Sequence, residues 1–165
     1  VPDIVILGKS MGNGHPIGAV ITTDKIASKF SEGVEFFSSF GGNPVSCSVG
    51  SSVLDIIEEE KLQENAKIVG KYYKKELEKL KNKHKVIGEV RGEGLFLGIE
   101  IINENNLKPD RKLAHLLKNR LREKHILVGT DGPHNNVIKS KPPICFDKED
   151  VKLVVESIDN ILSEK

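Results

Sequence analysis

A chain of 165 residues with a net charge of +1 has room for an ordinary core, and no net field draws it to nucleic acid or to a membrane surface. Its 38% apolar and 30% charged residues describe a globular chain with a charged surface, and no apolar run is long enough to cross a bilayer. Cys47 and Cys145 lie far apart without metal-ligand spacing. They offer neither a disulfide framework nor a metal site, and suggest a reducing compartment or simple burial.

Val1-Pro2-Asp3 runs directly into the apolar stretch Ile4-Val5-Ile6-Leu7, with no methionine, signal or transit segment before it. This start is expected of the C-terminal part of a longer protein. Gly8-Lys9-Ser10-Met11-Gly12-Asn13-Gly14-His15-Pro16 then reads as a tight glycine-built loop between two strands, the second being Ile17–Thr22. Lys9 falls where a buried strand gives way to this loop. An amine at that place is partly dehydrated, which disfavours its ammonium form and lets it attack a carbonyl to form a Schiff base.

A short helix over Lys25–Phe30 follows, capped by Thr23 or Asp24. Glu35–Phe37 is expected as a brief strand. It leads into Ser38-Ser39-Phe40-Gly41-Gly42-Asn43-Pro44, where Asn43 caps a helix that opens on Pro44. That helix carries Val45, Val49, Val53, Ile56 and Ile57 at helical spacing, with small residues between them. A second helix, Leu62 to Lys83, places Leu62, Ala66, Val69, Tyr73, Leu77 and Leu80 on one face and Lys and Glu on the other. Its charges belong to a wet helix face, not to a polybasic patch.

From Val86 the pattern becomes that of a small α+β unit: a sheet of three or four strands with two helices on it. Strands are expected at Val86–Arg91 and Leu95–Ile101, joined by a hairpin at Gly92-Glu93-Gly94. A helix over Arg111–Lys124 presents Leu113, Leu116, Leu117 and Leu121. Ile126–Val128 and Asn136–Lys139 read as strands around a turn at Thr130–Pro133. Asp147 caps the last helix, Glu149–Leu162, with Asp150 in its first turn.

Five separated motifs resemble the class III aminotransferases, which use pyridoxal 5'-phosphate. They are Pro2-Asp3-Ile4-Val5 through Lys9, Gly12-Asn13-Gly14-His15-Pro16, Phe40-Gly41-Gly42-Asn43-Pro44, Val90-Arg91-Gly92-Glu93-Gly94-Leu95, and Pro142-Pro143 before the final helix. The resemblance implies an α/β fold, the C-terminal part of a fold-type I transferase. Residues 1–60 would be a remnant of the cofactor-binding large domain, 61–85 a connecting helix, and 86–165 the small α+β domain. It further implies that Lys9 carries the cofactor as catalytic lysine. Ser39, a position that reaches the cofactor phosphate of a second subunit, and Gly41 and Gly42 would help hold it. Hydroxyls and free N–H groups beside glycines and a helix start are suitable phosphate donors.

Within the family, Thr130-Asp131-Gly132-Pro133-His134 and Lys139-Ser140-Lys141-Pro142-Pro143-Ile144-Cys145-Phe146 are similar to the phospho-lyases acting on ethanolamine phosphate or phosphohydroxylysine. Many class III transaminases have an arginine three residues before the proline pair, as a clamp for a substrate carboxylate. Here Lys139 stands there, and a point charge suits a phosphate. Lys139 and Lys141 are thus candidate substrate-binding cations, with a pair of solvated strand lysines as the plain alternative. The resemblance implies a small-molecule amine or amino-phosphate substrate, a homodimer or tetramer, and a mitochondrial or cytoplasmic location. The family's ring-stacking aromatic, its acidic partner for the ring nitrogen and its glycine-rich phosphate turn precede the lysine. Activity is therefore expected of the parent protein, and the 165 residues alone are expected to be inactive. An alanine–glyoxylate type of transaminase and a catalytically silent structural module are the competing readings.

Overall fold

The computed structural model describes residues 1–164. The chain divides into two compact units, residues 1–61 and 62–165.

In the first unit β1 (Ile4–Leu7) pairs antiparallel with β2 (Ala19–Thr22), Ile4 opposite Thr22 and Leu7 opposite Ala19. A 3-10 turn, Lys9–Gly12, lies between them. Two helices follow, α1 (Asp24–Ser31) and α2 (Pro44–Glu59). Asn43 caps α2 as its sequence demands, its Oδ1 accepting from Val45 N at 3.0 Å and Ser46 N at 3.2 Å. Two expectations fail here. β1 is not a buried strand: only Val5 is shielded, and Ile6 is 78% exposed. Among the described residues the sheet has only these two strands, and Ile4, Ile6, Val20 and Ile21 on it are exposed. Glu35–Phe37 is no strand either; the Phe36 ring lies 5.9 Å from that of Phe30, centroid to centroid.

The second unit holds the core. α3 (Leu62–Lys83) is followed by β3 (Ile87–Glu93), β4 (Phe96–Ile101), α4 (Arg111–Glu123), β5 (Gly129–Asp131), β6 (Val137–Ser140) and α5 (Lys148–Ser163). The sheet is antiparallel throughout, in the order β3-β4-β6-β5. Along β4 the two-residue period is clean. Leu97, Ile99 and Ile101 enter the core, while Phe96, Gly98 and Glu100 take the open face. α3 supplies Val69, Tyr73, Leu77 and Leu80 to this core, so the expected connector is packed as one of three helices of the unit, not two.

Three shifts have local causes. The hairpin turn is shorter than expected, because Gly92 and Glu93 still pair with Leu97 and Phe96 and leave only Gly94-Leu95 between the strands. Leu116 is exposed and Ala114 takes its place in the core, because the face is set by Leu113, Leu117 and Leu121 and the 100° step puts Leu116 on the flank. Ile126–Val128 does not start a strand. The His125 and Ile126 N–H groups are held at 3.0 and 2.9 Å by the carbonyls of Arg122 and Leu121, closing α4, with His125 left-handed at φ 61°. Pairing therefore begins only at Gly129. No described helix is long and apolar enough to cross a membrane.

Tyr73 is fully buried, and its hydroxyl shares a 3.1 Å hydrogen bond with the buried Ser140 hydroxyl. Burial pushes the phenol up to about 12, against a smaller opposing effect of Ser140. A raised folded-state value means that the neutral phenol's contribution is complete below pH 10 and is lost as pH rises toward 12, at about 1.4 kcal/mol per unit. Alkaline urea titrations should therefore lose stability more steeply above pH 10 in the wild type than in Tyr73→Phe. At neutral pH the same variant should be weaker by about 1 kcal/mol, because Ser140 loses its partner.

Candidate functional site

Lys9 sits directly after β1, at the first residue of the 3-10 turn. Its backbone is left-handed, φ 51°, which is uncommon for a side chain other than glycine or asparagine. Lys61 and His125 share that conformation where helices end, a place where it serves chain reversal. Lys9 follows a strand, where no such capping role exists. The side chain is exposed, which overturns the expected half-dry strand end, and its cause is again the uncovered two-stranded sheet. Among the described residues it has no hydrogen-bond or ion-pair partner, so its amine is unengaged.

The loop after Lys9 is tied to α2. Gly12 is buried, and a Cβ there would come within 2.6 Å of Ile17 Cγ2, so only glycine fits. His15 Nε2 and Ser46 Oγ share a 2.8 Å hydrogen bond. Between these elements lies a concavity of about 680 Å³, bounded by His15-Pro16, by Phe40 to Asn43 and by Ser46-Cys47. The structure thus brings Gly41 and Gly42 together with His15, while Lys9 does not line this hollow.

The donors here are fewer than the sequence suggests. Asn43 consumes the first free N–H groups of α2, and Ser38 Oγ accepts the Gly41 N–H at 3.0 Å. Gly42 N–H and the Ser39 hydroxyl have no partner among the described residues, and Ser39 is exposed. A primary amine at Lys9 suits a cofactor aldehyde, and the Ser39 hydroxyl and Gly42 amide suit a cofactor phosphate, that of a second subunit in the case of Ser39. Cys47 is exposed, as is Cys145, so burial does not explain either thiol.

The second unit carries a separate hollow of about 350 Å³ on the open face of its sheet, bounded by Arg91, Phe96, Asp131, Val137 and Lys139 among others. Lys139 Nζ donates to Asp131 Oδ2 at 2.6 Å. Arg91 Nη1 donates to Glu89 at 2.7 Å and to Glu100 at 2.9 Å. The Lys139 ammonium, with help from the Gly132 N–H, holds the Asp131 carboxyl below the usual carboxylate range. Lys141 is exposed and has no ion-pair partner among the described residues. Asp131 and the Glu89–Arg91–Glu100 group are not among the sequence-derived candidates. Asp131 stands before Gly132-Pro133 and reads as a turn residue, and nothing local to it announces a partner eight positions later.

The model of the class-III aminotransferases matches residues 1–162. The chain belongs to that family. This class-III chain is 50% identical over 152 residues to a Drosophila melanogaster protein named alanine–glyoxylate aminotransferase 2-like, covering 90% of this chain and 31% of that protein. It is 41% identical over 165 residues to ethanolamine-phosphate phospho-lyase homolog 1 of Caenorhabditis elegans, covering 99% of this chain and 35% of that one. A solved Arthrobacter phospholyase, in complex with phosphoethanolamine, superposes with a TM-score of 0.96 at 39% identity, over 100% of this chain and 39% of that one. The chain thus spans about one third of the length of the curated relatives it matches. The fold is that of the C-terminal part of these fold-type I enzymes.

Proposed function

We propose that this class-III chain belongs to a pyridoxal 5'-phosphate enzyme that releases phosphate from ethanolamine phosphate or phosphohydroxylysine. The observation that carries the reading is Lys9: an exposed, unengaged amine on a residue held left-handed directly after a strand. Non-glycine residues kept in such conformations cost about 1 kcal/mol or more and cluster at functional sites.

Lys9 would hold the cofactor through Nζ, and Ser39, Gly41 and Gly42 would face a cofactor phosphate. When bound, the cofactor supplies an electron sink for the carbon that carries the substrate nitrogen. Lys9 Nζ would take the proton from that carbon. From ethanolamine phosphate, loss of phosphate from the neighbouring carbon and addition of water would give acetaldehyde, ammonia and phosphate. Lys139 and Lys141 are the cations proposed for the substrate phosphate. A lysine in place of the carboxylate-clamping arginine supports elimination over amino transfer. The 50% identity to a protein named as an alanine–glyoxylate aminotransferase favours the second reading, a transaminase. Homodimers or tetramers are proposed for the whole enzyme.

The deciding experiment uses the protein at the length of its curated relatives, supplied with pyridoxal 5'-phosphate. Ethanolamine phosphate should release inorganic phosphate without a keto acid. Amino transfer that depends on a keto acid, with no phosphate release, would establish the transaminase instead. Absence of any visible absorption band from bound cofactor would favour the silent module.

A further inference from the structure

The two cations on the open face of the β3-β4-β6-β5 sheet are unequally held. Arg91 is shared by two carboxylates, whereas Lys139 has one, Asp131. Lys139 is therefore the cation more easily released to a ligand. Its neighbours in register are Gly98 on β4 and Gly129 on β5, so no side chain stands directly opposite it on either adjacent strand. A Cβ at Gly129 would touch the Lys139 stem at 3.7 Å. Lys139 is 37% and Asp131 59% exposed, so a dissolved ion reaches the pair. Asp131 is anchored independently of Lys139, since its Oδ1 accepts the Gly132 N–H at 2.8 Å. The carboxylate stays in place when the lysine leaves.

We propose that Asp131 is a built-in competitor for the anion at Lys139: it stands in for the substrate's phosphate when none is bound, and sets how tightly phosphate is held and how readily it departs. The inference rests on the reading of Lys139 as a phosphate-binding cation. Asp131 acts through Lys139 and is a positioning residue. An incoming anion takes over the lysine while the anchored carboxylate stays close enough to repel it, and that Coulomb cost grows with the charge of the anion. Exposed ion pairs of this kind are weak, so the competition weakens phosphate by only about threefold to fivefold.

The test is an NMR titration of this 165-residue chain at constant ionic strength, following the Lys139 side-chain signal with inorganic phosphate and with acetate. Asp131→Asn keeps the acceptor for Gly132 and drops the charge, so unchanged amide signals of Val137 and Ile138 verify the sheet. Asp131→Ser is the second variant. Phosphate should move the Lys139 signal in the wild type. Its dissociation constant should fall by about threefold to fivefold in Asp131→Asn, and that of acetate by less, because phosphate carries two charges and acetate one. Unchanged or weaker phosphate binding in both Asp131 variants, with binding lost in Lys139→Met, overturns the role of Asp131 and leaves Lys139 standing. An equal gain for acetate and phosphate overturns it too. Phosphate that leaves the Lys139 signal unmoved, or binds Lys139→Met as well as wild type, overturns both assignments.

Discussion

Replacing Lys9 by alanine is expected to lower turnover of the whole enzyme by about 10⁴-fold or more, the scale seen when a covalent catalytic group is removed. The reason lies in two jobs assigned to one atom. Nζ must first be a nucleophile toward the cofactor aldehyde and later a base toward the substrate carbon. Arginine at position 9 keeps the positive charge but is never deprotonated, so Lys9→Arg should be equally inactive. If charge alone mattered, Lys9→Arg would retain activity, and that result would refute the assignment. A second readout does not need turnover. Borohydride should fix the cofactor irreversibly to the peptide containing Lys9 in the wild type and leave no such adduct in either variant, as peptide mass spectrometry would show.

Replacing Gly70 by alanine is the second large expected effect, this time on the fold. Gly70 lies in the middle of the buried face of α3, between Val69 and Tyr73. A Cβ at this place would be driven into the backbone of Gly94, whose carbonyl oxygen, carbonyl carbon and Cα all lie within contact. Backbone cannot swing aside as a flexible side chain would, so α3 must lift from the β3–β4 turn. Overpacking of this sort costs typically 1–3 kcal/mol, and the backbone contact places Gly70→Ala at about 3 kcal/mol. For a unit of this size that is a fall of about 10 °C or more in Tm. Circular dichroism melts of this chain would measure it. A variant that melts within a degree or two of wild type would mean that α3 does not rest on Gly94. Exposed Lys71→Ala, one residue later, is the control and should change little.

The contrast between the two units explains what could be read from residues alone. α3 was legible over its full length, Leu62 to Lys83, because six apolar positions at helical spacing leave no other way to bury them. The caps Asn43 and Asp147 were equally legible, since each acts within three residues of itself: Asp147 accepts from Glu149 and Asp150 while Asp150 answers its N–H. The turn at Lys9 was legible from its glycines. The exposure of β1 was not. Its residues are those of a buried strand, and burial depends on what covers the strand, which no local pattern contains. The same holds for Phe36 and Phe37, read as strand and found without a partner strand.

Local pattern was enough for the family, for the three helices of the second unit, for the capping residues, and for the lysines at positions 9 and 139 as groups of interest. Periodicity, caps and motifs act over a few residues, and they are written out in order along the chain. Which donors near Gly41 remain free, why Gly70 must be bare, and how Asp131 engages Lys139 emerge only in the folded chain. Those facts depend on atoms that the strands and helices bring together from distant positions. Contacts across β5 and β6, or between α3 and a turn some two dozen residues later, exist only once the backbone has closed on itself.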